Sequence, residues 1–177
     1  MAGPLSAEWT HKLRLNQLDR GIYKARLEAT EAERAATAAR LDLLGIARLE
    51  ASITARAWLD GVEITGRVRA TVTYECGVTL DPFDEEIDAE IFLRAVPAGS
   101  PNAPTGEPEA VVDPEAEDPP DVLEGQEIDL ADVASEHLAL SLDPFPRKPG
   151  AVFEAPPAER ESSPFDVLKA LKPKDPS

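Results

Sequence analysis

Thirty consecutive residues, Ala47 to Cys76, alternate between apolar and polar side chains. Leu49, Ala51, Ile53, Ala55, Ala57 and Leu59 alternate with Arg48, Glu50, Ser52, Thr54, Arg56 and Trp58. Asp60-Gly61 interrupts the run as a strong hairpin signal. Val62, Ile64, Gly66, Val68, Ala70, Val72, Tyr74 and Cys76 then alternate with Glu63, Thr65, Arg67, Arg69, Thr71, Thr73 and Glu75. A period of two places one set of side chains on each face of a strand. The run therefore predicts two long antiparallel strands with one apolar and one polar face. Beyond an Asp81-Pro82 turn, Ile87, Ala89, Ile91, Leu93 and Ala95 predict a third.

An apolar sheet face needs a cover. Thr30-Glu31-Ala32-Glu33 has capping-box spacing, which predicts a helix over 30–44. Its expected apolar stripe is Ala35, Ala36, Ala39, Leu43 and Leu44, with Gly45 as a left-handed cap. Asp129 is a candidate cap for a second helix, with Ile128 and Val133 in the staple positions. Leu130, Val133, Ala134 and Leu138 form its stripe, extended by Leu140 or Leu142, and Asp143-Pro144 ends it. Short strands are expected at His11–Leu18 and Gly21–Ala29.

These elements predict an α+β fold: an antiparallel β-meander packed against one or two helices. Residues 1–10 read as a loose terminus, and 11–97 with 125–150 as one domain. Residues 98–124, rich in Pro, Gly and acid, read as a disordered insert or long loop. Residues 143–153 read as an extended arm. The tail 151–177 holds a short helix at 164–172, with Ser163 as cap and Phe165, Leu168 and Leu171 as a small docking stripe. Such a helix either docks on its own domain or recognises a partner.

The net charge of −16 is uneven. Residues 1–97 carry 12 Lys/Arg and 16 Asp/Glu, whereas 95–146 carry 13 acidic residues and no basic one. That balance argues against indiscriminate coating of nucleic acid, which requires an excess of Lys and Arg. It leaves room for a local basic face: Lys12 and Arg14 on the first strand, Lys24 and Arg26 on the next, and Arg48, Arg56, Arg67 and Arg69 on the hairpin. Trp58 lies among them as a stacking group. The plainer reading is a solvated face balanced by Glu50, Glu63 and Glu75. The acidic insert reads as a solubilising loop, a site for a basic partner, or a shield for the domain's own basic face.

One cysteine excludes an intramolecular disulfide framework. Cys76 has the apolar parity of its strand, so the plain reading is a packed small hydrophobe. A nucleophile needs an orienting base, and the spacing brings neither His11 nor His137 to it. A zinc site needs about four ligands, and Thr79 stands where a CxxC pair would put its second thiol. Glu136 and His137 are helix neighbours about 100° apart, poorly placed to act on one atom. Neither a phosphate-cradling glycine loop nor interpretable paired carboxylates occur. No stretch approaches the roughly 20 apolar residues of a membrane span, and the first residues lack a signal-peptide core. The expectation is a cytoplasmic, non-enzymatic protein with no cofactor, metal, membrane contact or small-molecule substrate.

YECGVTLDPFDEEIDAEIFLRAVP resembles the central motif of the YceD-like family, typified by the large ribosomal RNA subunit accumulation protein YceD. The matching residues are Cys76, Thr79-Leu80-Asp81-Pro82 and the acidic strand from Glu85 to Arg94. EGQEIDLADVASEHLALSLDPFPRKPGAVF is similar to the family's Ile-Asp-Leu-led helix, carrying Asp129, Leu130, Glu136 and Pro144. SPFDVLKALK resembles its closing Pro-Phe-led helix. The resemblance spans about residues 10–97 and 124–171. Some members carry a second cysteine three residues after the first; this chain does not, so no metal role transfers. The resemblance implies a part in accumulation or processing of large-subunit ribosomal RNA, through precursor RNA or through a ribosomal or processing protein. The alternative is a protein adaptor acting through the acidic insert and the closing helix without touching RNA.

Overall fold

A computed structural model describes residues 8–104 and 118–153 of the chain. The alternating run forms β3 (Gly45–Trp58) and β4 (Gly61–Glu75), antiparallel and in register from Arg48↔Thr71 to Trp58↔Gly61. Strand β5 (Pro82–Pro97) continues the meander on the other side of β4. Strand β2 (Tyr23–Glu28) pairs antiparallel with β3, and β6 (Asp121–Leu123) pairs parallel with β5, giving the order β2-β3-β4-β5-β6. A separate ribbon joins β1 (Lys12–Arg14) to β7 (Glu127–Asp129). Helices α1 (Glu31–Arg40) and α2 (Leu130–Ser141) complete an α+β fold.

Alternation sorts most side chains as expected, but Ala57 and Leu59 at the hairpin end are exposed and Glu63, of the polar parity, is buried. Leu49, Ala51, Ile53 and Ala55 on β3, Val62, Ile64, Val68, Ala70 and Val72 on β4, and Ile91 and Ala95 on β5 are buried together. Helix α1 lies on β3, and α2 on β4 and β5. Leu130, Val133, Ala134 and Leu138 of α2 join this core, as do Leu13 and Ile128 of the small ribbon. Burying a Leu side chain stabilises by about 1.5–3 kcal/mol, so this one apolar layer supplies the main driving force. Asp129 caps α2 by accepting from the N–H groups of Ala131 (3.0 Å) and Asp132 (3.3 Å). It also takes the N–H of His11 at 2.8 Å, tying the helix start to the N-terminal ribbon.

Several local expectations give way to packing. The stretch from His11 leaves extended structure at Arg14 and turns through a 3-10 segment, Leu15–Arg20. Leu15 and Leu18, three apart, bury together in that turn, which a continuous strand would prevent. Thr30 and Glu33 form the capping box, but α1 ends at Arg40 and Asp42 takes the positive φ of 56°. Gly45 opens β3 instead of capping the helix. The buried side of α1 is Thr37 and Ala38, flanked by Arg34 and Leu41, while Ala35, Ala39 and Leu44 are exposed. An alanine-rich helix has little to choose between its faces. Arg34 decides, donating to the carbonyls of Ile46 (3.2 Å) and Ala29 (2.8 Å). On α2, Leu140 is exposed and Leu142 packs on the core.

The hairpin turn is Leu59-Asp60, with Leu59 at φ 52°, one residue before the expected pair. Gly61 is the first residue of β4, and an added Cβ there would meet the Ala95 carbonyl oxygen at 2.0 Å. Strand β6 falls inside the stretch read as an insert, and Ala98 N–H bonds Leu123 O at 2.9 Å. The helix expected at 164–172, with Phe165, Leu168 and Leu171, lies outside the described residues.

Candidate nucleic-acid interface

The face of the sheet opposite the helices collects the polar residues of four strands. Pairing places them in rows across the strands. Nearest the hairpin turn are Trp58 and Gly61, followed by Arg56, Glu63 and Arg94. The next row is Lys24, Thr54, Thr65 and Phe92, and the next Arg26, Ser52, Arg67 and Glu90. Across these four rows, five cations (Lys24, Arg26, Arg56, Arg67, Arg94) stand against two carboxylates. Beyond them the sign reverses. Arg48 and Arg69 are outnumbered by Glu28, Glu50, Glu75, Asp84, Glu86 and Asp88. The face is thus split into a basic half carrying two aromatics and an acidic half.

Glu63 is the pivot of the basic half. It is only 3% exposed although it has the parity of the polar face. Its oxygens accept from Arg56 Nε at 2.6 Å and from Arg94 Nε at 3.0 Å. The Arg94 hydrogen bond, aided by Arg56, holds the carboxyl below its ordinary range, against burial. The Arg94 guanidinium carbon lies 5.0 Å from the Trp58 ring centre and 5.2 Å from that of Phe92. Both distances suit cation–π attraction. Phe92 is 57% exposed. The sequence reading placed Glu63 among solvated acids and left Arg94 and Phe92 out. The signal was available, since both have the polar parity of their strand and lie in rows with Arg56 and Lys24.

Nearer the middle of the face, Arg67 pairs with Asp88 (2.8 Å) and Glu90 (3.5 Å), and Arg26 with Glu50 at 3.8 Å. Lys24 has no carboxylate within ion-pair distance among the described residues. In the acidic half, Arg48 pairs with Glu50 and Arg69 with Asp88, while Thr71 and Thr73 donate to Glu86 and Asp84. The sheet therefore brings together Lys24, Arg26, Arg56, Trp58 and Arg67, with Arg69 at the border. It does not bring in Lys12 and Arg14. Those two belong to the β1–β7 ribbon, and both pair with Glu127, at 3.3 and 3.4 Å.

The two motif stretches centred on Cys76 and Pro144 meet in space. Cys76 N–H donates to Asp81 O and Leu80 N–H to Cys76 O, each at 2.9 Å, closing the turn before Pro82 opens β5. Leu80 takes φ 62° and stays exposed, and Thr79 Oγ1 accepts from Asp81 N–H. Gly77 N–H reaches Pro146 O at 2.9 Å, and Asp143 N–H reaches the Tyr74 hydroxyl at 3.1 Å. Cys76 Sγ is fully buried and accepts from the N–H groups of Val78, Thr79 and Lys148, each at 3.4 Å. Hydrogen bonds from Thr79, with help from Lys148 and Val78, bring the thiol down to about 7. Cys76 thus pins the arm after α2 to the turn between β4 and β5.

On α2, Glu136 is exposed while the His137 ring turns to backbone, with Nδ1 2.9 Å from Val133 O and Nε2 3.3 Å from Phe92 O. The ring seats the helix against β5 beside Phe92. Among the described residues, no cluster of His, Cys, Asp or Glu is arranged to hold a metal ion, and no helix is long and apolar enough to cross a membrane.

A family model described as Large ribosomal RNA subunit accumulation protein YceD matches residues 64–172. The match takes in the Cys76 turn, α2, the arm and the 164–172 segment, and begins after β1, β2 and β3. Among curated proteins and solved structures, nothing matches the chain.

Proposed function

The chain belongs to the YceD family, and from that premise we propose that it promotes accumulation of large-subunit ribosomal RNA by binding precursor RNA, without catalysing a reaction. The observation that carries this reading is the basic half of the sheet's polar face. Five cations and two aromatic rings gather there in a chain of net charge −16. Phosphates attract Lys and Arg, and bases stack on aromatic and guanidinium planes. The acidic half and the acidic segment beyond β5 limit contact to that patch and oppose indiscriminate coating.

Crosslinking of the tagged protein in cells, with sequencing of the bound RNA and mass spectrometry of bound proteins, tests the proposal. A sharp peak on large-subunit precursor RNA supports it. Ribosomal or processing proteins with no RNA peak replace it with the adaptor, acting through the acidic insert and the closing segment.

A further inference from the structure

Resting on that RNA reading, we infer that the basic half of the sheet is a platform for unpaired nucleotides, whose bases stack on Phe92 and Trp58 on either side of Arg94. An exposed phenylalanine alone is ordinary on a protein surface. The constellation is what argues for a ligand. Phe92 and Trp58 both lie near the Arg94 guanidinium, at 5.2 and 5.0 Å, so three flat groups sit together on one sheet face. Glu63, buried beneath, takes both Arg56 and Arg94 and fixes where those planes stand. Planes held in place before binding lose little side-chain freedom on binding, which favours affinity.

Charge around the platform sets the ligand's orientation. Lys24, Arg26 and Arg67 lie in the next rows along the strands and suit phosphates. Beside Phe92 and Arg94 lies a cleft of about 410 Å³, lined also by Leu93, Asp118, Pro119 and Asp121. Carboxylates repel phosphate but accept from the amino groups of bases. Bases therefore face the cleft and backbone faces the basic rows. A single strand with unstacked bases satisfies both; a duplex hides its bases. From Trp58 to Ser52 the basic rows run roughly 20 Å at about 3.3 Å per residue. A longer duplex laid along the strands meets Asp88, Glu86 and Asp84, where like charges repel it.

The test uses tryptophan emission of the full chain. The two tryptophans are Trp9, buried at 8% exposure, and Trp58. A short unstructured RNA oligonucleotide is expected to quench emission, and the quench is expected to vanish in Trp58→Phe, which leaves only Trp9. Phe92→Leu keeps an apolar side chain on an exposed strand position and removes the ring. It is expected to weaken single-strand binding roughly 5- to 150-fold at unchanged melting temperature. A blunt duplex RNA of the same composition is expected to bind more weakly and without quench. Equal binding of single strand and duplex, or unchanged binding by Phe92→Leu, overturns the stacking platform while leaving RNA binding by charge intact. Binding of neither RNA overturns both.

Discussion

Replacing Glu63 with Gln keeps the volume of a side chain that is 3% exposed but removes its charge. The amide presents an NH₂ where a carboxylate oxygen accepted from Arg56 or Arg94, so one guanidinium faces a donor. Breaking a fully buried ion pair by removing one partner costs about 3–5 kcal/mol. Here the arginine side chains are 60% and 25% exposed, so water recovers part of that. We expect a loss of about 2 kcal/mol at neutral pH, a fall in Tm of roughly 4–8 °C for a chain of this size. The effect must depend on pH with a definite sign. The folded state holds the Glu63 carboxyl below its ordinary 4.5, so its stabilisation is fully present above 4.5 and fades as pH falls through the lower folded value. Thermal melts followed by circular dichroism, wild type beside Glu63→Gln, measure this directly. The two curves should converge in acid. Equal Tm at neutral pH, or a gap that persists unchanged well below pH 4.5, refutes the idea that Glu63 holds the two arginines as an ion pair.

Cys76→Ala should flatten part of the pH dependence of stability between about 7 and 9. The folded thiol sits at about 7 against an ordinary 9.0, so its contribution is present above 9.0 and lost as pH falls through 7. Melting across that window checks it, and a wild-type rise that survives the substitution contradicts it. Gly66→Ala should destabilise by more than about 3 kcal/mol in urea titration, because its Cβ would meet Ser52 O at 2.3 Å and backbone cannot step aside cheaply. Asp129→Ala should cost about 1–2 kcal/mol in the same assay, since two helix N–H groups and that of His11 lose their acceptor.

Periodicity carried the sheet. A thirty-residue alternation leaves one face for a core, and β3 and β4 follow it apart from a register shift between Ile46 and Arg48, an exposed Ala57 and a buried Glu63, while β5 extends the pattern. The Asp129 cap was equally plain, because a short acceptor before an apolar run has few other uses. Where the sequence misled, local pattern was degenerate. Alanines on every side of α1 left its facing to Arg34, whose carbonyl partners, on Ala29 five residues before it and Ile46 twelve after it, come together only when the chain folds. Leu13 and Leu15 suit one face of a strand, but joint burial of Leu15 and Leu18 selected the 3-10 turn. The candidate site was legible only in part. Parity placed Arg56, Trp58 and Arg67 on one face, but register decides which end of that face is basic. Register depends on where Leu59-Asp60 turns and how β5 slides along β4. Once it is fixed, Lys12 and Arg14 leave the patch and Arg94 and Phe92 enter it.

The central claim is that the basic half of the sheet touches RNA. The direct measurement is the salt dependence of binding between the full chain and large-subunit precursor RNA, for wild type, Lys24→Glu/Arg26→Glu, and Glu86→Gln in the acidic half. Both substituted cations lie on edge strand β2, with exposed side chains that charge reversal leaves outside the core. Log affinity should fall linearly with log salt, and the double variant should bind more weakly, with a slope shallower by roughly 0.7 for each phosphate that it no longer neutralises. Glu86→Gln should leave the slope unchanged. Binding that ignores salt, or a double variant indistinguishable from wild type, would contradict it.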